Sequence, residues 1–167
     1  HEERLFFYRA IARRTISPGS RPLVIVDWTA VTPKLWALTA AVPFDGRALV
    51  IYAETHPIER YLKPFVNLAF LYKLESVLPA GCRPVIVTDA GFRSPWMKLV
   101  EGFDWDFIGR LRAPAKVRRT YGEAFIDIEN HWHLAGTSPR DLGMFQIGHK
   151  RRYPVRVVTV RRKRCVI

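Results

Sequence analysis

Two carboxylates stand where this chain could do chemistry. Asp27 ends the apolar run LVIVD, and Asp89 ends VIVTD. Both runs are rich in Val and Ile, so each predicts a strand buried on both faces at the centre of a sheet. A buried carboxylate without a partner is costly, so it must be neutralised, paired or bound to a cation. At the C-terminal edge of a strand it can instead face a crevice. If the two strands are parallel neighbours, the carboxylates converge. Converging oxygen donors suit Mg²⁺ or Mn²⁺. Such ions activate water and stabilise the leaving oxygen of a phosphodiester. The residues alone leave a plainer reading open, with Asp27 as a turn or N-cap residue and Asp89 opening an Asx-type turn before Gly91.

The elements that must position these residues can be read along the chain. LFFYRAIARR (5–14) predicts an amphipathic helix, and SPGSRP (17–22) a turn-rich linker. The main fold is expected to begin at Pro22. LWALTAAV (35–42) and ALVIYAE (48–54) flank an Asp-Gly pair, a strong hairpin signal. The first three strands therefore predict an antiparallel meander. Residues 64–78 predict a helix opened by Pro64, its apolar face formed by Leu71, Leu74 and Leu78 and widened by Phe65, Leu68 and Tyr72. A short helix over 95–102 follows, with Ser94 as its cap, and then a strand over 104–112 that sets Arg110 and Arg112 on one face. Short β-like segments near 123–128, 131–135, 143–149 and 154–160 predict a smaller β-rich part. The fold class expected is α/β or α+β. The division expected is a preceding helix and linker (1–20), a core (21–112) and a β-rich remainder (113–167).

The 167 residues carry 27 Lys+Arg against 15 Asp+Glu, a net charge of +12. A charge that size bears on partners rather than on fold, and nucleic acid is the leading candidate. An anionic membrane surface is the second candidate; no apolar run approaches the ~20 residues needed to span a bilayer, and the partner expected is DNA with no membrane. Residues 1–20 lack the apolar core of a signal peptide. The chain opens on His1, so its natural start is expected to lie further upstream. Cys82 and Cys165 form neither a disulfide framework nor a metal knuckle. His131 and His133 at strand spacing share a side, but two further zinc ligands are missing. Basic residues crowd the last third, among them Arg118, Arg119, Lys150, Arg151 and Arg152. Arg93, Arg110 and Arg112 lie nearest the expected crevice and are the better candidates for DNA backbone contacts. The alternative for those three is an ion pair with Glu101, Asp104 or Asp106.

The words around the two aspartates carry a resemblance. IVDWT (25–29) and VIVTDAGFRSPWMKLVE (85–101) resemble the first and second acidic blocks of bacterial insertion-sequence DDE transposases, in the insertion-sequence-four family. GRALVIYAETHP (46–57) and DWDFIGRLR (104–112) are similar to that family's second hairpin and to the strand after its second acidic block. The resemblance implies a ribonuclease-H-like mixed sheet with a β-rich insertion after the fifth strand. It implies catalysis and Mg²⁺ (or Mn²⁺) binding at Asp27 and Asp89. It implies double-stranded DNA as partner, both transposon ends and target, with a homodimer in the active complex and a bacterial cytoplasmic, nucleoid-associated location. The reaction implied is metal-dependent cleavage of transposon ends followed by strand transfer. The family's third acid, a Glu within a Tyr…Arg…Glu…Lys signature, has no counterpart here. Glu123 and Glu129 lack that signature, so the third acid is expected beyond this chain. A metal-dependent nuclease of the same fold and a catalytically dead DNA-binding remnant are the alternatives.

Overall fold

The computed structural model describes residues 2–120, 122–148 and 152–161. The chain divides into two compact units, His1–Arg110 and Leu111–Ile167.

The first unit opens with helix α1 (Glu2–Thr15) and continues through strands β1 (Leu23–Ala30), β2 (Leu35–Phe44) and β3 (Arg47–Pro57). Helix α2 (Pro64–Val77), β4 (Val85–Thr88), helix α3 (Ser94–Gly102) and β5 (Asp106–Gly109) complete it. The five strands form one mixed sheet in the order β3-β2-β1-β4-β5. β1 to β3 are an antiparallel meander. The predicted Asp-Gly turn closes its second hairpin, with Asp45 and Gly46 both at positive φ, as a two-residue turn of the right twist requires. β4 then returns parallel to β1, and β5 parallel to β4. Parallel neighbours need a crossover, and α2 and α3 supply the helices for the two returns.

The helices bury one face of this sheet. Val24, Val26 and Trp28 of β1, Leu38 and Ala40 of β2 and Ile86 of β4 join one core with Phe70 and Leu74 of α2, and Val100 of α3. The expectation of strands buried on both faces is corrected here. Leu23 and Ile25 are 48% and 38% exposed, whereas Val24 and Val26 are fully buried. Ile108 of β5, next to Val87 in the ladder, is 56% exposed. An unbroken apolar run states that both faces tolerate burial; it does not state that both have a covering layer.

Two further expectations shift. The 17–22 segment is tied down rather than a free linker: Gly19 N–H donates to Ala80, Arg83 N–H to Ser20 and Val85 N–H to Pro22. α1 before it packs into the core through Ala12, and Ile16 just past the helix joins it. In α2 the buried stripe is Val66, Asn67, Phe70, Leu71, Leu74 and Val77, so Phe65 and Tyr72 face outward. Tyr72 rests instead on Phe103. Aromatic residues on both sides of the helix blurred the phase of its stripe.

In the second unit, β6 (Lys116–Arg118), β7 (Ile126–Asp127), β8 (Arg140–Ile147) and β9 (Tyr153–Thr159) form an antiparallel sheet in the order β7-β6-β8-β9. Val117, Phe145, Ile147 and Tyr153 are buried in it. Residues expected as a strand at 131–135 belong to a 3-10 helix, Ile128–Leu134. His131 and His133 therefore do not share a strand face, and His131 meets the Phe145 ring edge-on. The four-residue alternation of HWHL was too short to separate the two periods. The molecule is thus a mixed α/β protein. Among the described residues, no helix is long and apolar enough to cross a membrane.

One charged group lies inside the first unit. Glu54 of β3 is only 5% exposed. Its carboxylate accepts the Tyr52 hydroxyl at 2.5 Å, a bond from His56 Nε2 at 3.0 Å, and the Lys73 ammonium from α2. Burial pushes this carboxyl up, but the Lys73 and Tyr52 hydrogen bonds, the Lys73 charge and the His56 bond outweigh it and hold it below its ordinary value. The Tyr52 hydroxyl is pushed up, first by burial and then by Glu54. Because Glu54 is more acidic when folded, its stabilisation is present above its ordinary value near 4.5 and is lost as pH falls through the lower folded value. Lys73→Met should therefore cost about 2 kcal/mol at neutral pH. The difference from the unchanged chain should shrink on acidification below that value, which urea denaturation across pH 3–7 would measure.

Candidate active site

The β1–β4 register brings the two aspartates together. Leu23 pairs with Val85, Ile25 with Val87 and Val26 with Thr88. The next position on each strand is Asp27 and Asp89. Neighbouring strands lie about 4.8 Å apart, so the two residues occupy adjacent places at the C-terminal edge of a parallel pair. Alternation sets Asp27 on the sheet face opposite Trp28, whose indole lies in the core. Asp27 is half-buried and Asp89 exposed.

Each carboxylate is anchored by one oxygen. Asp27 Oδ2 accepts the Thr29 hydroxyl at 3.1 Å. Asp89 Oδ1 accepts the Gly91 N–H at 2.8 Å, the Asx-type turn that the sequence left open as its role. Among the described residues no hydrogen bond is drawn to Asp27 Oδ1 or Asp89 Oδ2. A turn role and a ligand role thus use different oxygens and are compatible. Two carboxylates at an open edge are a donor set for a hard divalent cation, which binds through one or two carboxylates while keeping several waters. Among the described residues no cluster of three or more His, Cys, Asp or Glu is arranged to hold a metal.

The basic residues fall into separate groups. Arg110 N–H donates to Thr88 O at 3.3 Å, which extends the β4–β5 ladder by one step and sets Arg110 beside Asp89. Asp27, Asp89 and Arg110 therefore form a row across three adjacent strands. Arg93 is exposed at the N-cap of α3, four residues after Asp89. Two of the acids considered as their ion-pair partners are engaged elsewhere, Asp104 with Arg83 and Asp106 with Arg21. The strand expected over 104–112 stops at Gly109, so Arg112 is not on a strand face with Arg110 and belongs to the second unit.

In that unit Arg118 is buried at 6% exposure, its Nε donating to Gln146 at 2.8 Å and its guanidinium lying over Phe125. Arg119 donates to the Leu142 carbonyl and lies over Phe145. The exposed phosphate-contacting position expected for Arg118 is corrected: it is an interior residue. A basic run gives net charge, but not which of its members turns inward. Arg152 is exposed. Lys150 and Arg151 lie outside the described residues.

Sequence reasoning missed Tyr61, which packs on Trp28 at 5.5 Å and Trp36 at 4.7 Å between ring centroids. It follows a 3-10 turn, Ile58–Arg60, where no periodicity singles out one aromatic. Trp28, next to Asp27, carries its ring to the opposite face of β1, where it meets Tyr61.

No family model, curated protein or solved structure matches this chain.

The two arginine environments predict different costs. Arg118→Ala should lower stability by about 2 kcal/mol, because it strands Gln146 and removes a guanidinium–ring contact. Arg110→Ala should change it by less than about 0.5 kcal/mol, as exposed substitutions do. Thermal melts of the two variants side by side check the ranking.

Proposed function

We propose that this chain carries the first part of the catalytic core of a DDE transposase, with a ribonuclease-H-like fold and Mg²⁺ or Mn²⁺ as cofactor. One observation carries the reading: Asp27 and Asp89 each follow the last pair of the parallel β1–β4 register, Val26 with Thr88. Three features support it. The strand order β3-β2-β1-β4-β5, with a meander leading into two parallel returns, agrees with the fold that the resemblance implies. The acidic-block words lie around these two aspartates. The net charge of +12 suits a polyanionic partner.

On this reading Asp27 and Asp89 would hold the cation. The cation supplies charge neutralisation and an activated water at the phosphodiester. The reaction this would serve is hydrolysis at the transposon end, in which water would bond to phosphorus, the bond to the 3′ oxygen would break, and a 3′-hydroxyl would be released. The 3′-hydroxyl then attacks a phosphodiester of target DNA and displaces its 3′ oxygen in line. Arg110, beside Asp89, and Arg93 hold the phosphate backbone through charge-assisted hydrogen bonds. The partner is double-stranded DNA in the bacterial nucleoid, and a homodimer would bring two ends together.

Mn²⁺ binding by this chain, followed by electron paramagnetic resonance, tests the site. Asp27→Asn and Asp89→Asn should each weaken binding at least tenfold, following the ten- to hundredfold losses seen when metal-site groups are removed. Unchanged binding in both variants would overturn the assignment. DNA affinity should fall steeply with salt, and Arg110→Ala should lower the log–log slope by about 1. Joined rather than merely cut products from the parent protein separate a transposase from a nuclease of the same fold.

A further inference from the structure

The edge that carries the aspartates is approached from the core side by one further polar group, the hydroxyl of Tyr61. Its backbone N–H donates to Ile58 O at 3.0 Å and closes the turn after β3. Leu62 follows at φ +53°, a left-handed conformation that a branched residue adopts only when its surroundings impose it. Trp28 and Trp36 grip the phenol ring from two sides, at interplanar angles of 73° and 47°. The hydroxyl is therefore delivered by packing to a set position.

Gly91 reveals what that position is. A Cβ on Gly91 would lie 3.0 Å from Asp89 Oδ1 and 3.6 Å from the Tyr61 hydroxyl oxygen. The two oxygens thus flank the same missing methyl group. The backbone of Gly91 does not require glycine through a positive φ, so its small size serves this close approach. The same residue's N–H already binds Asp89 Oδ1 at 2.8 Å.

Resting on the metal-site reading above, we propose that Tyr61 is a positioning residue for the Asp27–Asp89 site. Its O–H serves Asp89 Oδ1 through one bridging water. With the Gly91 N–H on Oδ1 and the phenol reaching it through that water, the carboxylate has one favoured rotation. That rotation turns Oδ2 outward to the cation. Groups that orient a ligand in this way commonly change metal affinity ten- to hundredfold when removed. Tyr61 contacts neither cation nor substrate; it acts through Asp89. Gly91 completes the device by leaving room for both donors on one oxygen.

The test uses the full chain and Mn²⁺ as the probe. Tyr61→Phe keeps the ring between Trp28 and Trp36 and deletes only the hydroxyl. It should weaken Mn²⁺ binding about tenfold while the thermal midpoint stays unchanged. Gly91→Ala reaches the same contact from the other side, pushing a methyl against Asp89 Oδ1, and should weaken binding similarly. Tyr61→Ala, which empties the space between the indoles, should lower the thermal midpoint as well. If Tyr61→Phe and Gly91→Ala bind Mn²⁺ like the unchanged chain while Asp89→Asn loses it, the Tyr61 proposal fails and the metal site stands. If Asp27→Asn and Asp89→Asn also bind normally, both fail. Should Tyr61→Phe not fold, the Gly91→Ala titration decides alone.

Discussion

The parallel ladder between β1 and β4 is the interaction on which the rest of the first unit depends. Side chains on a strand alternate with a period of two, so a slip of one residue would exchange the faces of β1. Val24, Val26 and Trp28 would leave the core, and Asp27 would enter it. The register is held from both sides: by burial of Val24, Val26 and Ile86, and by the Arg83 and Val85 N–H bonds to the segment before β1. Packing and chemistry thus select the same pairing. The hydrophobic term fixes the face, and the fixed face aligns the carboxylates.

Around that ladder the unit spends polar groups sparingly. Glu54 is satisfied by three donors from two elements, and so ties α2 to β3 across the core. His56 of the same network meets the Trp28 ring at 5.7 Å, and Trp28 meets Tyr61. A continuous set of contacts therefore runs from the buried ion pair to the residue next to Asp27. Stiffness there is useful to a site that must present oxygens at fixed positions. The hydrogen bonds from Thr29 and Gly91 continue the same function at the carboxylates themselves.

Much of this was legible in the residues. The Asp-Gly hairpin, the helix opened by Pro64 and the strand that stops short of Asp89 each follow from a local rule with a short physical range, whereas Asp27 lies within β1, which runs on to Ala30 against β2. Convergence of Asp27 and Asp89 was legible only as a condition, because pairing is set by contacts far apart in sequence. The outward face of β1 was not legible, since Leu23 and Ile25 read the same whether or not a layer covers them. Arg118 looked like its basic neighbours, and only its partners Gln146 and Phe125 reveal it as interior. Tyr61 was invisible for a similar reason. Its position is set by two indoles that its own neighbours in the chain do not announce.

The exposed row of Leu23, Ile25 and Ile108 has a colloidal consequence. A surface of that kind attracts its like in water, while a net charge of +12 repels it. The repulsion reaches about 10 Å at 0.1 M salt and about 3 Å at 1 M, whereas apolar attraction is not screened. Added salt therefore thins the barrier and leaves the attraction in place. A polyanion laid on the basic residues would remove the same repulsion, so whatever neutralises the charge would also leave the apolar attraction unopposed.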